Sequence, residues 1–327
     1  MAKASRAQRV LLIGLLTVAL MVPPVLLMIS GQTDLATLFV YGGAIAMGAV
    51  FYGLRLAVIL SFAAGFAGMA AALLSPYPVP GAVFFGLLTG GCALAAVRGI
   101  HSPVLMVPIF ISFVLVAPPT VTDASPLVTV LLTGAVLTLA GLWMTGTARV
   151  LFGRLSGGLD RQEFSPRVTV AYAIIMAVIL GVAAWVILTS AKYHQGAWVL
   201  LTLIVVMQPT PHDTMTKSLQ RLAGTLAGGL VALLLIVGGL NPPCAVILGG
   251  VFIFIAFTAR FALKRPYWQF VAALTPGIIL LDAKGGDGLR VTEDRVGFTV
   301  IAVVIAVTIT LAVKAIVLRK APAGETA

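Results

Sequence analysis

Four polar side chains recur at helical spacing in a chain that is otherwise 60% hydrophobic. They lie at intervals of three, four and four residues: Thr214, Lys217, Arg221 and Thr225. On a helix, residues at this spacing share one face. A Lys and an Arg one turn apart can bind an anion, and a guanidinium can hold a carboxylate through two parallel hydrogen bonds. The alternative is that both cations only extend toward the membrane surface as topological anchors.

The residues before this face have the signals of a helix start. Thr210 can be the N-cap, Pro211 takes the first helical position, where its missing N–H costs nothing, and Asp213 at the third position can reach back to the cap. His212 lies among them and is a secondary candidate for proton handling. We expect this helix to begin about two turns before the apolar run that follows it.

The neighbouring residues indicate how this helix packs. Gly224 and Gly228 form a small-xxx-small pair, which allows a second backbone to approach closely. Gln208 and Pro209 are expected to shape the turn that precedes the helix. Arg221 is the central candidate, because a cation carried below the lipid headgroups is costly unless it faces protein, water or an anion.

The composition shows what surrounds this helix. Only 9% of the 327 residues are charged and the mean hydropathy is +1.12, whereas an average soluble domain has roughly 25% charged residues. Continuous apolar runs rich in Leu, Ala and Gly favour membrane-spanning helices over barrel strands. We therefore predict an all-α integral membrane protein of twelve spans, at about 10–30, 35–53, 56–75, 80–97, 102–118, 127–149, 168–190, 196–208, 219–240, 243–259, 266–282 and 296–318.

The positive charge follows the same topology. With a cytoplasmic N-terminus and twelve spans, 17 of the 21 Lys and Arg residues fall on the cytoplasmic side, as the positive-inside rule expects. Both termini are then cytoplasmic. The net charge of +11 thus indicates an orientation in the lipid bilayer, and we expect no nucleic acid as a partner.

A polar segment divides the chain into two predicted halves. We assign 1–152 to a first six-helix half, 153–167 to a cytoplasmic linker, 168–320 to a second six-helix half and 321–327 to a cytoplasmic tail. "RLAVILSFAAGFAG" from Arg55 aligns with "RLAGTLAGGLVALL" from Arg221, which favours two parallel repeats with the site between them. Val58 and Ile59 stand where the first half would need the Gly-Thr pair.

Other residues are secondary candidates. Arg98, Arg260, Lys264 and Arg265 are predicted to lie at the cytoplasmic mouth, where they either attract anions or only fix the topology. Thr275 and Pro276 interrupt the eleventh predicted span, which indicates either a packing kink or exposed backbone groups that bind ions.

Several function classes lack their sequence signals. There is no GxxxxGK[ST] loop for a nucleotide, and neither HExxH nor GxSxG occurs. Cys92 and Cys244 fall in or beside predicted helices and suggest no metal site. We therefore expect no enzyme activity, no cofactor and no metal. No Asp or Glu lies in the middle of a predicted span, so a buried carboxylate relay for protons is not visible. Coupling to protons would have to use Asp34, Asp213 or His212 at the ends of spans.

The segment from Gly196 to Leu235 resembles the signature of the fusaric acid resistance and aromatic acid exporter family. The matching residues are Trp198, Gln208, Pro209, Thr214, Lys217, Arg221, Gly224, Thr225 and Gly228. The resemblance implies a multi-pass transporter of the bacterial inner membrane that exports small organic, often aromatic, carboxylates. It also implies a homodimer and a periplasmic adaptor protein as partners.

Two other functions stay open. Plant aluminium-activated malate transporters show a similar pattern, and together with the missing buried acid this favours a passive organic-anion channel. The lack of soluble domains leaves room for a membrane scaffold subunit that transports nothing.

Overall fold

A computed structural model describes residues 6–120, 124–152, 162–190, 196–282 and 288–320. All regular structure in these ranges is helical, which confirms the predicted all-α class. The α-helices are α1 (Arg6–Ile29), α2 (Thr33–Val50), α3 (Leu54–Leu74), α4 (Pro78–Ala93), α5 (His101–Val104), α6 (Met106–Val116), α7 (Pro126–Phe152), α8 (Pro166–Thr189), α9 (Ala197–Val206), α10 (Pro211–Val237), α11 (Pro242–Phe257), α12 (Tyr267–Asp282) and α13 (Gly288–Lys320).

Nine helical segments in the described ranges are long and apolar enough to cross a membrane. Three shorter apolar segments accompany them: His101–Val116, Ala197–Val206 and Tyr267–Leu281. Each of these segments overlaps one of the predicted windows. At 1.5 Å per residue, however, the ten residues of α9 extend only about 15 Å, half of a hydrocarbon core. A multi-pass membrane protein is confirmed, while the count of twelve spans and the side of each terminus stay predictions.

The chain forms two compact units, Met1–Ile204 and Val205–Ala327. The boundary lies near the end of α9 because α8, which follows the predicted linker, packs against α4 of the first unit. Residues 153–161 of the predicted linker and the predicted tail 321–327 lie outside the described residues. The division into two halves of six helices stays a prediction.

In the first unit, several buried hydroxyls bond to their own helices. Side chains of this kind donate to a backbone carbonyl three or four residues earlier, as in Thr17, Ser61, Thr89, Ser112 and Thr145. In an apolar environment this bond removes the cost of an unpaired hydroxyl. These residues therefore serve helix packing and need no further partner.

A contact between α1 and α7 compensates for a proline. Pro23 has no N–H, so the carbonyl of Ala19, four residues earlier, has no helical donor. The indole Nε1–H of Trp143 in α7 donates to this carbonyl oxygen at 2.9 Å. The bond gives the Ala19 carbonyl a donor in place of the N–H that Pro23 lacks.

In the second unit, α10 packs against α12 and α13, and α11 packs against α12. Ala232, Ile279 and Val291 form a buried core from α10, α12 and α13. The helix α12 continues through Pro276, so the interruption expected from Thr275 and Pro276 is absent. A π-helical turn at Thr258–Ala262 follows α11.

Candidate functional site

The start of α10 agrees with the capping signals. Thr210 is in an extended conformation, and its Oγ1 accepts a hydrogen bond from the Asp213 backbone N–H at 3.1 Å. The same hydroxyl donates to the Asp213 carboxylate at 2.6 Å. His212 is 90% exposed, with Nδ1 3.7 Å from Asp213 Oδ1. The cap therefore holds Asp213 in the first turn of α10. The His212 side chain faces away from the rest of the protein.

Gln208 holds the turn between α9 and α10. Its backbone N–H donates to Thr214 Oγ1 at 2.9 Å, and its side-chain Nε2 donates to the carbonyls of Val205 and Met207. The Thr214 hydroxyl lies 3.2 Å and 3.1 Å from the carbonyl oxygens of Gln208 and Thr210. Pro209 lies between Gln208 and the cap, and it has no backbone N–H that would need a hydrogen-bond acceptor. The polar groups of Gln208 and Thr214 thus serve the turn itself.

Lys217 reaches back to this turn. Its Nζ donates to Gln208 Oε1 at 2.9 Å, and the side chain is half-buried. Asp213, one turn earlier, and Arg260 are its charged neighbours. The Gln208 side-chain oxygen therefore occupies the position beside the Lys217 ammonium where the oxygen of a bound carboxylate would lie.

Arg221 is buried and has no acidic partner. Only 7% of its surface is exposed, and its Nη1 donates to the neutral phenol oxygen of Tyr267 at 3.2 Å. Its Nε–H is buried without a hydrogen-bond acceptor among the residues that the structure describes. No carboxylate of those residues lies within ion-pair distance of it. One turn further on, Thr225 is 2% exposed.

The glycine pair faces α12. A Cβ added to Gly224 would lie 2.6 Å from the Trp268 carbonyl oxygen, and one added to Gly228 would lie 2.7 Å from that of Ala272. Pro276 Cδ and Thr275 Cβ are each 2.8 Å from the Gly228 position. The structure thus brings Thr275 and Pro276 against the glycine face of α10, immediately beyond Arg221 and Thr225.

The remaining basic candidates are exposed. Arg260 lies on the π-helical turn, and Lys264 and Arg265 follow it, with Lys264 in a left-handed conformation at φ 51°. In the first unit, Arg55 at the start of α3 and Arg98 are both exposed. Arg55, the repeat counterpart of Arg221, therefore lacks the burial that distinguishes Arg221.

Sequence reasoning missed two residues beside Arg221. Ser218 is fully buried on the same face, and its spacing of four from Thr214 and three from Arg221 could have revealed it. Tyr267 begins α12, where aromatic residues at the end of a span are typical of the membrane interface. No sequence spacing could relate Tyr267 to Arg221, because their contact joins two different helices.

Acidic and metal-binding groups are sparse around this site. Asp34, a candidate for proton handling, accepts hydrogen bonds from the Thr120 backbone N–H at 2.7 Å and the Thr120 hydroxyl at 3.0 Å. This carboxylate fixes the segment after α6 in the first unit. The part of the chain that the structure describes contains no group of three or more metal-ligating His, Cys, Asp or Glu side chains.

Apolar helices of membrane-crossing length define a multi-pass membrane protein. Residues 182–309 match the family model described as fusaric acid resistance protein-like, which confirms the resemblance carried by the α10 motif. The matched range runs from the last turns of α8 into α13 and contains the whole α10 face. Comparisons with curated proteins and with solved structures found no match.

Proposed function

We propose that this protein is a transporter that exports small organic anions, often aromatic carboxylates, across the bacterial inner membrane. The observation that carries the proposal is Arg221, a buried cation on a membrane-crossing helix whose only hydrogen-bond partner among the described residues is the Tyr267 phenol. The family match to residues 182–309 includes this residue and supports a transporter.

A charged side chain buried inside a membrane protein carries a free-energy cost. A guanidinium inside a membrane protein is expensive unless it is paired or hydrated. Tyr267 satisfies one of its five donors but supplies no negative charge. An organic carboxylate would supply the negative charge that no described residue places beside Arg221. The planar guanidinium matches the geometry of a carboxylate.

Neighbouring residues provide a route to Arg221. Lys217, one turn toward the start of α10, holds Gln208 Oε1 and can exchange this neutral acceptor for an incoming carboxylate. The exposed Arg260, Lys264 and Arg265 raise the local concentration of anions at the entrance. Beyond Arg221, the polar face continues to Thr225 beside the glycine contact with α12.

The direction of transport, the aromatic preference, a homodimer and a periplasmic adaptor are further parts of the proposal. Their support is the resemblance to the fusaric acid resistance family. These parts of the proposal are tested separately from the role of Arg221.

A passive organic-anion channel is the second candidate. It is favoured by the position of the acids: Asp34 and Asp213 lie in the first turns of their helices, at the ends of spans. Proton-coupled transporters commonly use an ionisable group inside the membrane. A channel needs only the cations that attract and pass the anion.

The test is efflux from proteoliposomes loaded with benzoate, hydroxybenzoate, fusarate or malate, with and without an imposed proton gradient. We expect gradient-dependent efflux with the wild type and a loss of at least tenfold in Arg221→Ala. Arg55→Ala is the matched control, because it removes an exposed arginine from the corresponding position of the first half. Flux that follows membrane potential alone would indicate the channel. Absence of flux for every anion would contradict both and favour a scaffold subunit.

A further inference from the structure

Ser218 is a fully buried hydroxyl without a hydrogen-bond partner in the described part of the chain. Buried hydroxyls on the other helices mostly donate to their own backbone, as Ser61 Oγ does to the Ala57 carbonyl at 2.7 Å. Four buried hydroxyls of the described residues have no hydrogen-bond partner at all: Ser218, Thr169, Thr202 and Thr258. Of the four, Ser218 is the one that lies within a turn of a buried cation.

Helix geometry brings Ser218 to the level of the Arg221 head group. Residues three apart on a helix are neighbours, with Cβ atoms about 5–6 Å apart. Helical side chains also lean toward the N-terminus of their helix, so the long Arg221 side chain extends over the turn that contains Ser218. The hydroxyl and the guanidinium therefore lie beside each other on the α10 face.

Three donors in this place have no acceptor. The Arg221 Nε–H and the Ser218 hydroxyl are both buried and unpartnered among the described residues. Tyr267 Oη accepts from Arg221 Nη1, and its own hydrogen has no acceptor in the same set of residues. Burying unpaired donors is costly, and a ligand with acceptor oxygens can satisfy all three at once.

We propose that Ser218, Arg221 and Tyr267 bind one carboxylate group on the face between α10 and α12. The carboxylate oxygens accept from Arg221 Nε–H, the Ser218 hydroxyl and the Tyr267 hydroxyl, which fills all three vacant donors. This inference rests on the proposed function and deepens it, because it adds two ligands to Arg221.

The donor set also determines which compounds are rejected. An ionised carboxylate has two oxygens and accepts only, whereas a primary amide presents an NH₂ group with two donors. A neutral amide of the same shape would leave Arg221 without its counter-charge, and its NH₂ group cannot accept from the Arg221 Nε–H. The site is therefore selective for benzoate over benzamide.

The first experiment measures benzoate binding to the full-length protein in detergent by isothermal titration calorimetry, with sodium benzoate as the probe. We expect Ser218→Ala to raise the half-saturating concentration about tenfold, because a hydrogen bond to a charged ligand is lost. Ser61→Ala is the matched control: the same substitution at an equally buried serine whose hydroxyl bonds to its own helix. Benzamide should neither bind nor compete.

A second variant keeps the test sharp if Ser218→Ala folds poorly. Ser218→Thr retains the hydroxyl, so it should bind benzoate within about threefold of the wild type. Unchanged affinity in a folded Ser218→Ala protein, equal binding of benzamide, or no benzoate binding to the wild type would each overturn the site.

The efflux assay separates this inference from the function on which it rests. Benzoate binding that depends on Ser218 in a protein without flux would contradict transport and support the site. Benzoate flux with the same concentration dependence in Ser218→Ala and wild type would support transport and overturn the site.

Discussion

Arg221 Nη1 donates a hydrogen bond to Tyr267 Oη over 3.2 Å, which links the middle of α10 to the first residue of α12. The phenol is neutral, so the bond orients the guanidinium without neutralising it. Because one edge of the guanidinium is held, its Nε–H faces a fixed direction. This arrangement is that of a positioned cation, and it differs from an anchor that extends freely to the membrane surface.

Removal of the phenol hydroxyl tests this positioning. In Tyr267→Phe, Arg221 loses both its orienting acceptor and the neighbouring hydroxyl donor, so we expect the half-saturating benzoate concentration to rise at least tenfold. Tyr77→Phe is the control, since Tyr77 is an exposed tyrosine at the start of α4. Efflux as a function of internal benzoate concentration measures the change. An unchanged concentration dependence in Tyr267→Phe would show that Arg221 is positioned by other contacts.

The glycine contact between α10 and α12 is a second prediction. In Gly228→Ala the new methyl group would lie 2.7 Å from the Ala272 carbonyl oxygen, and backbone atoms cannot easily withdraw. Overpacking of this kind costs about 1–3 kcal/mol. We expect a lower midpoint of thermal unfolding in detergent. Gly250→Ala in α11 is the matched control, since a Cβ there meets nothing within 4 Å.

The stability measurement has a clear negative outcome. Equal unfolding midpoints for Gly228→Ala and Gly250→Ala would mean that α12 does not pack against Gly228. In that case the position of Thr275 and Pro276 beside the α10 face would be wrong as well.

The helices and the face of α10 could be predicted from local sequence. Length of apolar run fixes the position of each helix, because lipid forces the backbone to satisfy its hydrogen bonds within one segment. The cap at Thr210 and Pro211 follows from local residue types, whereas spacing places Arg221 on the polar face and only the structure shows that it is buried. The cap and the polar face depend on residues that are close in the chain.

Contacts between helices could not be predicted in the same way. Tyr267 lies 46 residues from Arg221, and nothing in its surroundings distinguishes it from an interfacial aromatic residue. From sequence, Pro276 could mark either a packing kink or exposed backbone groups that bind ions, and only the structure shows that α12 continues and that the ring packs against Gly228. Each of these depends on which helix packs beside α10.

The N-cap of α10 supplies a third prediction. Thr210→Ala removes the acceptor for the Asp213 N–H and the donor to its carboxylate, so it should destabilise the helix start by about 1 kcal/mol. Thr216→Ala, at an exposed position of the same helix, should be neutral. Hydrogen exchange of the first turns of α10 measures the effect. Equal exchange in the two variants would contradict the capping role.

The bond between Trp143 and Ala19 leads to a fourth prediction. In Trp143→Phe, the Ala19 carbonyl loses the indole donor, and Pro23 cannot supply an N–H in its place. A hydrogen bond between membrane helices is worth about 1 kcal/mol, so the midpoint of thermal unfolding should fall by a few degrees. Trp185→Phe is the control, since Trp185 in α8 is exposed to nearly the same extent, 48% against 47%.

A double-mutant cycle identifies the proline as the reason for this bond. Pro23→Ala restores an N–H that can donate to the Ala19 carbonyl within α1, so the indole donor becomes redundant. Trp143→Phe should therefore cost less than half as much in the Pro23→Ala background as in the wild type. Equal costs in the two backgrounds would show that Trp143 stabilises α1 by packing alone, and that the Ala19 carbonyl does not depend on the indole.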